Sequence, residues 1–155
     1  MPKLLFVSHP EVVVDPDVPI TQWGLTDLGR ARAAAFAASD QFAAVSRIWS
    51  SAERKARETA DLLAAPRNLP VQIDPRLGEN DRSATGYLPP AEFEATADAF
   101  FANPEKSIRG WERAIDAQTR VETVIREIAA AQMQGDLAIS SHGAVGTSRF
   151  LGEGD

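Results

Sequence analysis

His9 and His142 are the two imidazoles of this 155-residue chain, and each follows a short apolar run: LLFVSHP at 4–10 and LAISSHG at 137–143. A neutral imidazole can attack an electrophile, carry a proton or bind a metal; it can also be a structural residue at a strand end. Other groups in the chain suit an anionic substrate. ERKAR (53–57) gathers Arg54, Lys55 and Arg57 in a chain whose formal net charge is −6. Glu53 and Glu58 interleave with these cations, so surface ion pairing competes with a binding role. RLGENDR (76–82) brings Arg76, Glu79, Asp81 and Arg82 together in a stretch without periodicity.

Two histidines far apart in sequence meet only if the elements before them are neighbours. Residues 3–8 read as a buried strand ended by Pro10, followed by a proline-punctuated loop to about Gly24. Thr26 is placed to cap an alanine-rich helix reaching about Ser39. AAVSRIWS (43–50) reads as a second strand, with Ser50 or Ser51 capping a helix over 52–65, and VQI (71–73) as a third. Pro89 and Pro90 open a helix with Phe93, Phe100 and Phe101, which Asn103-Pro104 breaks. A long helix follows, carrying Trp111, Ile115, Val121, Val124, Ile125 and Ile128 to a stop at Gly135, and DLAIS (136–140) is the fourth strand. Trp23, Trp49, Trp111 and the phenylalanines read as core or pocket wall. Strands alternating with helices predict a mainly parallel sheet covered on both faces, a three-layer αβα sandwich whose ligands sit beyond the carboxyl ends of the strands. Both histidines lie at that end.

The bulk properties narrow the function. Hydrophobic content of 44% and charged content of 25% are those of a soluble globular domain. The apolar runs are too short for a membrane span and the N-terminus lacks a secretory pattern, so a cytoplasmic location is the expectation. The negative charge argues against nucleic acid and anionic membranes as partners. The absence of cysteine excludes thiol catalysis, disulfides and thiolate metal sites. A metal site of two histidines and Glu79 would use the right residue types, but no His-x-x-x-His spacing or further ligand supports it.

The motifs, taken in order, resemble the histidine phosphatase superfamily, with its phosphoglycerate-mutase-like fold. LLFVSHP is similar to the family's first strand ending in Arg-His-Gly, and WGLTDLGRARA (23–33) to its Leu-Thr-x-x-Gly helix start. IWSSAERKARETADLLA (48–64) is similar to Ser-Ser-Pro-Leu-x-Arg-Ala-x-Gln-Thr-Ala, RLGEN (76–80) to Leu-x-Glu, and SSHGAV (140–145) to the second catalytic His-Gly. The resemblance implies a phosphohydrolase acting on phosphate monoesters or phosphoproteins, with no cofactor. His9 would be the phosphorylated nucleophile, Glu79 the proton donor and His142 a second catalytic histidine. Ser8, Arg54, Lys55 and Gly143, with the helix N-terminus after Gly143, would hold the phosphoryl oxygens. A phosphorylated small molecule or phosphoprotein is the implied partner.

The departures from the pattern raise an alternative. Ser8-His9-Pro10 replaces Arg-His-Gly, removing a phosphate-clamping arginine, and Lys55 stands where the family has its second arginine. A lysine offers a point charge in place of a bidentate fork. Losing one well-placed transition-state donor costs roughly 10²–10³ in rate, so a non-catalytic member that binds a phosphorylated ligand is the second reading. The sequence also ends soon after His142, in TSRFLGEGD. The expectation is one domain over 1–155 that lacks the family's usual C-terminal portion.

Overall fold

Among the described residues four strands, Leu4–Ser8 (β1), Val45–Ser50 (β2), Val71–Ile73 (β3) and Asp136–Ser141 (β4), form one parallel sheet in the order β1-β4-β2-β3. The computed structural model describes residues 2–131 and 134–146. Parallel neighbours need crossover connections, which four helices supply: Asp27–Ala37 (α1), Arg54–Ala64 (α2), Pro90–Ala102 (α3) and Ala114–Ala130 (α4).

Alternation along the strands splits the core between two faces. Leu4 and Phe6 of β1, with Leu137 and Ile139 of β4, pack against Val121, Val124, Ile125 and Ile128 of α4. Leu5, Val7 and Ala138 point the other way, joining Phe36 of α1 and Ala60, Leu63 and Ala64 of α2. Both Val45 and Ile48 reach that second face because the β2–β4 register shifts between Val45 and Arg47. Each large side chain buried in these layers contributes about 1.5–3 kcal/mol. The result is the αβα sandwich. A third, smaller cluster of Phe100, Trp111 and Ala114 ties α3 to the start of α4. Among the described residues no helix is long and apolar enough to cross a membrane.

The local signals place most boundaries. The Thr26 hydroxyl caps α1 by accepting from the Gly29 N–H at 3.0 Å. Gly29 is required there because a Cβ would lie 2.3 Å from the Glu11 carbonyl oxygen, where the preceding loop crosses the helix. At Gly135 a left-handed turn (φ 74°) leads into β4.

Four expectations are corrected. Helix α1 stops at Ala37, short of Ser39, whose N–H and hydroxyl both turn back to the Phe36 carbonyl. Neither Ser50 nor Ser51 is the N-cap of α2: that position is Glu53, while the Ser50 hydroxyl donates to the Ser51 carbonyl. Trp111 precedes α4, held by its indole N–H on the Thr85 hydroxyl at 2.9 Å. Helix α4 ends at Ala130, several residues before Gly135.

Candidate active site

Strands β1 and β4 are adjacent and in register, Ser8 opposite Ser141. The chain therefore delivers His9 and His142 side by side as it leaves the sheet. Their ring centroids are 5.4 Å apart at an interplanar angle of 65°. Both line a cavity of about 870 Å³ at the carboxyl edge, together with Glu53, Lys55, Glu79, Asn80 and Arg82.

His9 is oriented by its own backbone. Its Nδ1 lies 2.9 Å from the Pro10 carbonyl oxygen. A carbonyl can only accept, so Nδ1 carries the proton and Nε2 keeps the lone pair. Burial lowers the His9 pKa, and Lys55 adds to that against the Pro10 bond. His142 is buried, and desolvation first, then His9, Lys55 and Arg82, push its pKa well below the usual value. Its Nε2 is 2.8 Å from the Ser51 hydroxyl and 3.2 Å from Glu53 Oε2. With a neutral imidazole the contact to Glu53 is not an ion pair, and the hydrogen-bond partner of Nε2 is Ser51.

The first turn of α2 decides between the two cations proposed from sequence. Lys55 turns inward and is 5% exposed; its ammonium donates to the Ile20 carbonyl at 2.9 Å and lies 3.3 Å from Glu53 Oε1. Burial lowers its pKa, with Glu53 opposing. Arg54 turns outward: it pairs with Glu58 at 3.2 Å, rests on Gly24 and is not part of the cavity wall. One residue on a helix is a rotation of 100°, and Glu58 sits at the spacing that captures Arg54.

Two further residues expected at the phosphate stand outside the cavity lining. In the helical turn at 143–146 two N–H groups are already taken, since Glu79 Oε2 accepts from Ala144 and Oε1 from Val145, at 3.1 and 3.0 Å. Gly143 is not a lining residue. Ser8 is exposed and outside the lining as well, its hydroxyl facing the Gly143 backbone.

Four residues given no role in the site from the sequence complete it. The Ser51 hydroxyl, besides meeting His142, accepts from the Glu53 N–H at 3.1 Å. The Glu53 carboxylate sits among the groups that would hold an anion, accepting from the Glu79 N–H at 2.8 Å while facing Lys55 and His142. Asn80 is 3% exposed, with Oδ1 accepting from Arg82 Nε and Nδ2 without a partner. Arg82 reaches within 3.7 Å of Glu79 Oε2 and stacks over Phe93 and Trp111. Ser51 stood inside a quoted motif. Glu53 and Arg82 were visible only as charges, which spacing alone does not aim. Among the described residues no cluster of three or more histidine, aspartate or glutamate side chains is arranged to hold a metal ion.

A sequence model of the histidine phosphatase superfamily (branch 1) matches residues 12–149. The chain belongs to this superfamily. The match opens at Val12, just past Ser8-His9-Pro10. No curated protein matches the sequence. The fold is similar to that of a mycobacterial glucosyl-3-phosphoglycerate phosphatase solved with inorganic phosphate, with TM-score 0.79 and 24% identity over 98% of this chain and 78% of that one. It is also similar to Bacillus stearothermophilus YhfR (TM-score 0.79, 21% identity, 96% and 78% covered) and to the alpha-ribazole phosphatase from Shigella flexneri (TM-score 0.65, 22% identity, 92% and 74% covered). At these identities the likeness is one of fold.

Proposed function

We propose that this histidine phosphatase superfamily member hydrolyses phosphate monoesters through a phosphohistidine on His9. The observation that carries the reading is the hydrogen bond from His9 Nδ1 to the Pro10 carbonyl, which leaves Nε2 as the nucleophilic nitrogen in the cavity. In the first step Nε2 attacks phosphorus and the ester P–O bond breaks, the leaving oxygen taking a proton from Glu79. In the second, water attacks the phosphohistidine with Glu79 accepting its proton, which returns His9 and releases inorganic phosphate. His142, Lys55 and Arg82 supply donors and positive charge for the phosphoryl oxygens. No metal ion takes part in this scheme.

The test is turnover of p-nitrophenyl phosphate by the wild type and by His9→Ala, with acid quench to trap the phosphoenzyme. The wild type should turn over, keep its rate in excess chelator and yield an acid-labile phosphoenzyme; His9→Ala should lose both by 10³-fold or more, a magnitude on the scale of losing a nucleophile. Two observations favour a second reading, a binder of phosphorylated ligands: Ser8 lies outside the cavity, and Glu53 already faces Lys55 and His142. Equal, negligible rates in both proteins, with phosphate still binding, would select it.

A further inference from the structure

The cavity is lined by two chemically different sets of residues. The histidines, Lys55, Glu53, Glu79, Asp81 and Arg82 form one, and Val12, Val14, Ile20, Trp23, Tyr87 and Leu88 the other. A phosphate group, four oxygens of about water size, fills on the order of 100 Å³. Most of the roughly 870 Å³ is therefore left for whatever the phosphate is attached to. That remainder is within the range of pockets that enclose whole organic ligands.

The two sets meet at Lys55 and Trp23. The Lys55 ammonium lies 5.5 Å from the Trp23 ring centroid, so the indole borders the cation directly. The Trp23 N–H is held by the Asp15 and Val18 carbonyls at 2.9 and 3.1 Å, which fixes the ring and uses its one polar atom. Tyr87, from the segment before α3, meets Trp23 at 6.2 Å between centroids, tilted by 58°. Val14 lines the cavity yet is 56% exposed, an apolar side chain left open at the mouth. The cations of the described lining are Lys55 and Arg82, and Arg82 is drawn toward Glu79. A second phosphate or a carboxylate on a substrate would meet Glu53, Glu79 and Asp81 in that lining and no cation besides these two.

We infer that the substrates are monophosphates of bulky, largely apolar alcohols bearing an aromatic ring, with that ring seated against Trp23 and Tyr87. This rests on the phosphatase reading for its chemistry but not for its recognition, so the two are tested separately. Turnover is compared for 2-naphthylmethyl phosphate, glycerol phosphate and 3-phosphoglycerate, all alkyl esters whose leaving groups differ little in reactivity. The naphthylmethyl ester should have a kcat/KM at least about tenfold above either, the effect of burying a ring in an apolar wall. Trp23→Ala and the more exposed Val14→Asp should each shrink that ratio severalfold, so a folding defect in one leaves the other to decide. Equal kcat/KM values, or preference for 3-phosphoglycerate, would overturn the inference. Calorimetry with the non-hydrolysable 2-naphthylmethylphosphonate and methylphosphonate repeats the comparison on wild type and His9→Ala. Tighter binding of the naphthyl compound by tenfold or more supports the inference even if no ester turns over, and equal affinities overturn it whatever the turnover.

Discussion

Glu53 faces the same groups a phosphoryl oxygen would use: the Lys55 ammonium, His142 Nε2 and the Glu79 N–H. A bound dianion would have to displace that carboxylate or lie beside it. Replacing Glu53 by Gln keeps an oxygen for the Glu79 N–H while removing the charge. The expected result is inhibition by orthovanadate or phosphate at about tenfold lower concentration, equivalent to about 1.4 kcal/mol. A charge pair at this range is worth several kcal/mol before solvent screening, so tenfold is a conservative share. If Glu53→Gln instead weakens inhibitor binding, Glu53 positions the anion-binding groups rather than opposing the ligand. The types of the site residues were legible in the sequence, and two histidines at strand ends were enough to locate the crevice. Their aim was not. Arg54 and Lys55 differ by one helical step, and only the pull of Glu58 on one and the Ile20 carbonyl on the other separates them.

The elements were more legible than the side chains because periodicity and prolines report on backbone. Strands β1, β3 and β4 and helix α3 stand within a residue of expectation; the misplaced ends of α1 and α4 fall where local backbone bonds, invisible to periodicity, close the last turn. The irregular loop after β3 gave no pattern because its order comes from a distant helix. Arg120 of α4 donates to the carbonyls of Arg76, Gly78 and Glu79 at 2.6, 2.9 and 3.2 Å and pairs with Glu112 at 2.8 Å. One guanidinium thus fixes the segment that presents Glu79. Arg120→Met keeps the stem and removes the fork. It should cost about 2 kcal/mol, or roughly 4–8 °C in Tm at this size. It should also lower kcat on alkyl phosphates more than Tm alone explains, since the loop carries the proposed acid. Differential scanning calorimetry beside steady-state kinetics checks both; an unchanged Tm would mean the loop holds itself.

At the scale of the whole molecule, building the site from a buried histidine and a half-buried one ties stability to pH. Burial disfavours the protonated form of His142 and, more weakly, of His9, so both are lowered from 6.5 in the folded chain. In the unfolded chain they titrate near that ordinary value. Below 6.5 the unfolded state therefore binds protons that the folded state refuses, and stability falls as pH falls. The slope is at most about 1.4 kcal/mol per pH unit for each histidine. Three carboxylates with lowered values do not share this window. Burial raises Glu58, but the Leu25 N–H, Arg54 and Arg30 more than offset it; the Arg76 side chain lowers Asp74, and Ser83 lowers Asp81. Their contributions are lost only below their ordinary values of 4.5 and 3.8. Urea unfolding between pH 7.5 and 5 should show a plateau down to about 6.5 and then a decline, with His142→Asn removing most of it. Turnover should persist further into acid than an ordinary histidine allows, because His9 stays neutral there. A flat stability profile over that range would mean that His142 takes up its proton in the folded state and is not held neutral by burial.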